Sequence, residues 1–271
     1  MTACDFHLHT TFGDGKNSPE EMAAQAFSDG IEILGFSEHS YLPFEEETMK
    51  PHEEGEYRRR VLALKDAYRG RMKILCGVEK DIYSPIDESV YDYTIGSVHY
   101  IRCDNAYASV DLSPEATAEN VRAFFCGDPY AYAKAYFELV AGLFDHVRAD
   151  IIGHMDLLTK FHEKQPLLDT EDRRYEMAWK EAVAALIPHE KPFEINSGAI
   201  SRGWRSTPYP SADILTFIRQ NGGRILLTSD SHARDTLRYR FDESRELALA
   251  CGFTTQWIPT GDGGLTEVSL L

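Results

Sequence analysis

Short apolar runs alternate along most of this chain with longer stretches that open on helix-capping residues. The runs are rich in Ile, Val, Leu and Phe, which is typical of buried strands, and they are too short to be helices. The stretches between them begin with signatures such as Ser18-Pro19-Glu20 and Ser113-Pro114-Glu115, in which a cap residue precedes a proline at the first helical position. The pattern predicts seven strand-then-helix units.

These elements define a fold class. The strands are expected at about residues 5–9, 31–36, 73–78, 93–98, 151–153, 193–195 and 224–228, and the helices at about 18–30, 56–68, 113–144 with a break at 127–129, 170–186, 211–220 and 235–251, before an extended tail. Apolar strands that are each followed by a helix predict a parallel sheet covered by helices. No linker or low-complexity tract interrupts residues 1–271, so we expect a single domain.

Every predicted strand ends at a His, Glu, Asp or Asn. In a closed barrel of parallel strands the C-terminal ends share one face, where barrel enzymes assemble their sites. An open doubly wound sheet would place the same ends along a line, too far apart to meet at a single site. The polar strand ends therefore favour an α/β fold of the (β/α)7 TIM-like barrel class.

Composition narrows the possible partners and the compartment. The chain has 271 residues and a formal net charge of −16. This charge disfavours a nucleic-acid partner, because a protein that binds nucleic acid usually needs a basic surface to neutralise phosphates. No apolar run approaches the ~18–20 residues of a membrane span, and no signal peptide is visible, so we expect a cytoplasmic protein without a membrane partner. The five cysteines are never spaced Cys-x-x-Cys, which fits a reducing compartment. The oligomeric state stays open.

Candidate metal ligands gather at the predicted strand ends. Six of the ten histidines and three carboxylates lie there, namely His7, His9, His39, His99, His154, His232, Glu79, Asp14 and Asp230. A set of nine N and O ligands with no thiolate is more than one four-coordinate metal can use, whereas three metals sharing a bridging carboxylate would use them all. Asp14 has an alternative interpretation, in which it only shapes the turn Gly13–Gly15.

The residues match a known family. The segments His7–Gly15, Ser37–His39, Gly77–Glu79, Gly96–His99, Gly153-His154 and Ser229–His232 resemble, in this order, the motifs of the polymerase-and-histidinol-phosphatase family. Within the family the chain looks most like the stand-alone histidinol-phosphate phosphatases, through Asp92–His99 and Phe193–Gly198. The resemblance covers nearly the whole chain and implies a distorted seven-stranded barrel.

The resemblance also implies up to three divalent metal ions, which are zinc, manganese or iron in family members. Carried over residue by residue, it gives one metal to His7, His9, Glu79 and Asp230, a second to Glu79, His99 and His154, and a third to Asp14, His39 and His232. Glu79 would bridge the first two metals. The third site varies among relatives, some of which have His where this chain has Asp14.

The function implied by the resemblance is hydrolysis of L-histidinol phosphate to L-histidinol and phosphate, a late step of histidine synthesis. Divalent metals lower the pKa of bound water toward ~7, so no Ser or Cys nucleophile is assigned. The leaving alkoxide would take a proton from such a water or from a side chain such as Asp230. The alternatives are another small phosphomonoester, a nucleotide or a phosphotyrosine as substrate, a polymerase-associated exonuclease, and a metal-binding module without catalysis.

The loop after the sixth predicted strand is expected to bind the phosphate of the substrate. That strand ends at Asn196, a poor metal ligand but a good hydrogen-bond partner, which leaves this strand free to serve the substrate. A guanidinium matches two phosphate oxygens bidentately, and relatives use an arginine from this loop. The spacing leaves Arg202 and Arg205 as candidates, and Arg202 is preferred because the neighbouring Gly203 permits close approach.

Overall fold

The structure is a computed structural model that describes residues 2–271. Within these residues the strands are β1 (Cys4–Asp5), β2 (Ile33–His39), β3 (Lys73–Asp81), β4 (Tyr93–Ser97), β5 (Tyr100–Cys103), β6 (Ala106–Ser109), β7 (Ile151–Ile152), β8 (Pro192–Asn196), β9 (Arg224–Thr228), β10 (Thr255–Pro259) and β11 (Leu265–Ser269). The α-helices are α1 (Pro19–Ser28), α2 (Glu54–Ala67), α3 (Pro114–Phe124), α4 (Pro129–Ala141), α5 (Leu143–His146), α6 (Arg173–Leu186), α7 (Gly198–Ser201), α8 (Ala212–Gln220) and α9 (Phe241–Ala250). No helix in this range is long and apolar enough to cross a membrane.

Seven parallel strands form the predicted barrel. Their order is β1-β2-β3-β4-β7-β8-β9, and each neighbouring pair runs parallel. The first and last strands meet just beyond their C-terminal ends, where the His9 amide donates to the Ser231 carbonyl at 2.8 Å and the Ser231 amide donates to the His7 carbonyl at 3.1 Å. The expected parallel β/α barrel is thus confirmed, and its closure lies at the predicted metal ligands.

Tyr93 on β4 fills the barrel below the site. Its hydroxyl oxygen lies 2.6 Å from the Phe6 carbonyl and 2.9 Å from the Phe36 carbonyl, so its one proton is shared between them and the side chain connects β4 to the chain after β1 and to β2. A Cβ atom at Gly77 would lie 2.3 Å from the Tyr93 ring, which explains why β3 has a glycine there. The ring and this glycine together hold the strands that carry the ligands in register.

Four parts of the chain differ from the prediction. The expected strand 5–9 is a strand only over β1, because beyond Asp5 the chain pairs with Ser231 through a single bridge at Leu8. The expected helix 235–251 is a 3₁₀ turn at Arg234–Thr236 and an α-helix only over α9, because Arg238 and Arg240 take left-handed conformations with φ of 53° and 56° that break it. The extended tail is an antiparallel hairpin of β10 and β11. A second hairpin, β5 and β6, follows β4 directly and was not predicted.

Candidate metal centre

All nine predicted ligands come together at the C-terminal ends of the barrel strands. Most of them are buried, with relative exposures of 0% for His7 and His9 and 1% for Glu79. Asp230 takes a left-handed conformation at φ 49°, which turns its carboxylate into the same space. The strand ends therefore build one continuous cluster of imidazoles and carboxylates.

Glu79 lies at the middle of this cluster. Its Oε1 atom is 2.9 Å from His154 Nε2 and 3.3 Å from His99 Nε2. Its Oε2 atom is 3.3 Å from His7 Nε2 and 2.9 Å from His39 Nδ1. Because the two oxygens face different sets of imidazoles, this carboxylate has the geometry of a bridge between two ions.

A more exposed group lies at the edge of the cluster. His232 Nε2 is 2.9 Å from Asp14 Oδ2, and His39 Nε2 is 3.7 Å from Asp14 Oδ1. Asp14 and His232 have side-chain exposures of 29% and 17%, so solvent reaches this part of the site. Asp14 therefore faces the histidines and does more than shape its turn.

The donor atoms fit divalent metals. Four sets of ligand atoms lie within 4.8 Å of one another: His9, Asp14, His39 and His232; His7, His9 and Asp230; His7, Glu79 and His154; and His39, Glu79 and His99. Within residues 2–271, the buried atoms His7 Nε2, His9 Nε2 and Glu79 Oε2 have no hydrogen-bond partner. Unsatisfied buried nitrogen and oxygen atoms are costly, and bound metal ions would satisfy these lone pairs.

Neighbouring charged groups of the cluster shift one another's pKa values. Burial alone would raise the pKa of Glu79, but the imidazoles of His7 and His99 hold it well below its usual range. Burial alone would lower the pKa of His7, but Glu194 and Glu79 raise it well above 6.5, and nearby carboxylates raise that of His9 to about 9. The carboxylates are therefore anions that require positive charge, which imidazolium groups or bound metal ions can provide.

Asp230 belongs to the same charge network. Burial would raise its pKa, but the Arg202 guanidinium and the His7 imidazole hold it well below its usual range. A carboxylate in this environment has the charge that a metal ligand needs. The role of Asp230 as a proton donor stays a prediction.

Carboxylates behind the histidines were missed by the sequence reasoning. Glu194 Oε1 accepts a hydrogen bond from His7 Nδ1, and Asp81 Oδ2 lies 3.2 Å from His99 Nδ1. Glu194 stands in the middle of the apolar run of β8 and is 1% exposed. A charged residue within a buried strand needs a partner, so this position did carry a signal.

Arg202 lies against the cluster. Its Nη2 atom donates to Asp230 Oδ2 at 2.9 Å, and its Nη1 atom is 2.8 Å from His232 Nδ1. A Cβ atom at Gly198 would come within 2.6 Å of Asp230 Oδ2 and 2.8 Å of Arg202 Nη2. The glycine at this position thus makes room for the ion pair, which places a guanidinium beside the metal-binding atoms.

Arg205 points elsewhere. Its Nη1 atom donates to the Thr159 hydroxyl, its Nε atom donates to the Thr207 carbonyl at 3.2 Å, and its guanidinium lies 4.4 Å from the centre of the Tyr209 ring. It lines a different cavity, of about 540 Å³, together with Asp156. The alternative that made Arg205 the phosphate ligand is therefore not supported by its position.

Asn196 is also placed differently from the expectation. It is fully buried, its Nδ2 atom donates to Glu194 Oε2 at 3.1 Å and Asp230 Oδ2 at 3.3 Å, and its Oδ1 atom accepts from the Gly198 amide at 2.8 Å. Every polar group of this side chain is used inside the protein. We therefore correct the expectation that Asn196 contacts the substrate, because it holds two carboxylates of the site instead.

Lys160 is a second cation at the site that the sequence did not reveal. It lines a cavity of about 210 Å³ together with Asp14, His39 and His99. Its Nζ atom donates to Asp111 Oδ2 at 2.9 Å and to the Asp111 carbonyl at 3.0 Å. A lysine in a loop after a strand has no distinctive pattern, and only the fold brings this one to the mouth of the cluster.

Fold and site together define a class: a parallel β/α barrel whose C-terminal face carries a histidine and carboxylate cluster able to hold metal ions. Comparison with family models identifies the family within this class to which the chain belongs. The PHP domain model matches residues 5–198, and the chain belongs to this family. The resemblance found in the motifs is thereby confirmed.

Relatives extend the match over most of the chain. A protein of Deinococcus radiodurans named "Probable histidinol-phosphatase" is 28% identical over 89% of this chain and 90% of its own length. The "Histidinol-phosphatase" of Bacillus subtilis is 24% identical over 89% of this chain and 98% of its own length. A crystal structure of histidinol phosphate phosphatase from Lactococcus lactis, complexed with zinc, L-histidinol and phosphate, covers 98% of this chain and 99% of its own, with a TM-score of 0.72 and 21% identity. This structural likeness confirms the fold.

Proposed function

We propose that the protein is a metal-dependent phosphomonoesterase that hydrolyses L-histidinol phosphate to L-histidinol and phosphate. The observation that carries the proposal is the cluster of nine ligands around Glu79, in which buried donor atoms of His7 and His9 have no partner within residues 2–271. Membership of the PHP family and the names of the curated relatives support the substrate.

The cluster would hold up to three divalent ions, of which zinc is the first candidate. Following the family resemblance, one ion would be held by His7, His9, Glu79 and Asp230, a second by Glu79, His99 and His154, and a third by Asp14, His39 and His232, and the side chains of each set lie close to one another. Ions bound there would supply the activated water and the positive charge that phosphate-monoester hydrolysis needs. The sharing of Glu79 between the first two sets is supported by its two oxygens, since Oε2 faces His7 and Oε1 faces His154.

The chain itself would bind the phosphate with two cations. Arg202 presents its guanidinium beside Asp230, and its buried Nε atom has no hydrogen-bond partner within the described residues. Lys160 lines the cavity that Asp14, His39 and His99 also line. Together these side chains would orient the phosphoryl group and neutralise the oxygens that metals do not cover.

Steady-state assays on metal-depleted and zinc-reloaded protein test the proposal. We expect activity to disappear on chelation, to return with zinc, and to be higher by kcat/KM for L-histidinol phosphate than for a nucleoside monophosphate or phosphotyrosine. Full activity of metal-free protein would refute metal dependence. A higher kcat/KM for another phosphoester of the panel would keep the chemistry and change the substrate.

A further inference from the structure

Glu194 is a buried carboxylate that connects three parts of the site. Its Oε1 atom accepts the hydrogen bond from His7 Nδ1. Its Oε2 atom accepts from the His154 backbone amide at 2.8 Å and from Asn196 Nδ2 at 3.1 Å. The side chain lies on β8, so it joins this strand to the ends of β1 and β7, where two predicted metal ligands lie.

We propose that Glu194 is a positioning residue of the metal centre, which keeps the proton of His7 on Nδ1 and directs the Nε2 lone pair to the metal. The inference rests on the proposed metal-dependent function. His7 Nε2 lies 3.3 Å from Glu79 Oε2 and 3.7 Å from Asp230 Oδ1, and it has no hydrogen-bond partner within residues 2–271. An imidazole that donates from one nitrogen to a carboxylate offers the other as a ligand in a fixed orientation.

Only a group that accepts on both sides fits this position. At Oε2 both partners, the His154 amide and Asn196 Nδ2, are N–H donors, and at Oε1 the partner is His7 Nδ1. A glutamine would have to present its NH₂ group to one side. If the NH₂ group faced His154 and Asn196, it would be a donor pointed at two other donors. If it faced His7, it would make Nδ1 an acceptor and move the proton to Nε2, where the proton would block metal binding.

The same carboxylate reaches the phosphate side of the site through Asn196. The Asn196 Oδ1 atom accepts from the Gly198 amide, which fixes the amide orientation and directs Nδ2 to both Glu194 and Asp230. Asp230 in turn accepts from Arg202 at 2.9 Å. A hydrogen-bonded chain therefore runs from the first metal ligand to the guanidinium, with Glu194 at its metal end.

Zinc affinity measured by chelator competition tests the inference. Glu194→Gln should weaken zinc binding by about 10–100-fold, the usual effect of losing the partner of a ligating histidine. Asp156→Asn is the matched control, because Asp156 is equally buried and accepts from a backbone amide, that of Ser211 at 3.2 Å, but contacts none of the predicted ligands through its side chain. Its zinc affinity should stay within about threefold of wild type. Equal affinities for Glu194→Gln and wild type would overturn the inference.

A spectroscopic measurement on the wild-type protein tests the inference even if the Glu194→Gln variant does not fold. Long-range ¹H–¹⁵N spectra of the zinc-loaded protein should show His7 with a protonated Nδ1 and a coordinated Nε2. The reverse assignment would overturn the inference whatever the variants do. Wild-type protein that binds no metal would instead count against the proposed function, so the two failures are distinguishable.

Discussion

Replacement of Arg202 by alanine is the sharpest test of how this site would bind phosphate. The guanidinium lies beside the metal-binding atoms, with its Nη2 atom 2.9 Å from Asp230 Oδ2. Burial would lower its pKa, but Asp230 raises it above the usual value, so the group is a permanent cation. Removing a charge-assisted hydrogen bond from the transition state costs roughly 3 kcal/mol, which corresponds to about a 10²-fold decrease in kcat/KM.

Metal content should survive this change, because Asp230 also faces His9, at 3.2 Å, and keeps its ligand position. The assay is kcat/KM for L-histidinol phosphate, with zinc content and the inhibition constant of inorganic phosphate measured on the same samples. Arg205→Ala is the matched control, since its guanidinium is bound to Thr159 and Thr207 and lines another cavity. We expect this control to lose stability but to keep kcat/KM within about threefold.

Two results would refute this reasoning. Near-wild-type kcat/KM for Arg202→Ala at full metal content would remove this arginine from phosphate binding. A collapse in Arg205→Ala alone, with normal folding, would move the role to Arg205, against the hydrogen bonds that its side chain makes.

Three further predictions follow from the same geometry. Chelation should lower Tm as well as activity, because an ion present at ~1,000 times its Kd stabilises the folded state by about 4 kcal/mol; an unchanged Tm with loss of activity would contradict this. Glu79→Ala should cost more bound metal and activity than His39→Ala, since a bridging carboxylate serves two ions, and equal small losses would reject the bridge. Gly198→Ala should reduce kcat/KM by roughly 10²-fold by displacing the ion pair beside it, whereas Gly55→Ala, whose Cβ would meet nothing within 4 Å, should not.

The sequence predicted where the metal ligands lie because two constraints apply to the same positions. Metal binding needs His and carboxylate side chains, and the barrel brings together only those at the C-terminal ends of its strands. His99 and His154 each follow an apolar run, and a parallel barrel can bring such positions together at one face. The break at Arg238 and Arg240 could not be read in this way. Non-glycine residues in the left-handed region have no local sequence signature, and the surrounding packing imposes that conformation.

Glu194 and Asn196 show a different limit of sequence reasoning. The apolar run of β8 correctly predicted a buried strand, and it correctly marked the strand end at Asn196. What it could not give was the direction of each side chain's hydrogen bonds, because those depend on residues at the ends of other strands, namely β1, β7 and β9. The amide that looked free for a substrate is therefore fully used between Glu194 and Asp230.

An acidic chain with an acidic site poses a physical problem for an anionic substrate, and the geometry of the centre resolves it. Glu79 and Asp230 are buried anions, and Glu194 and Asp81 add negative charge behind the histidines. Without metal ions, protonated His7 and His9 would balance these carboxylates, and Arg202 and Lys160 are already paired with Asp230 and Asp111, so little positive charge would be left for a phosphate dianion. The carboxylates that make a metal-free centre unfavourable for phosphate are also the proposed metal ligands. Under the proposed function, substrate affinity would therefore depend on metal occupancy through charge as well as through coordination.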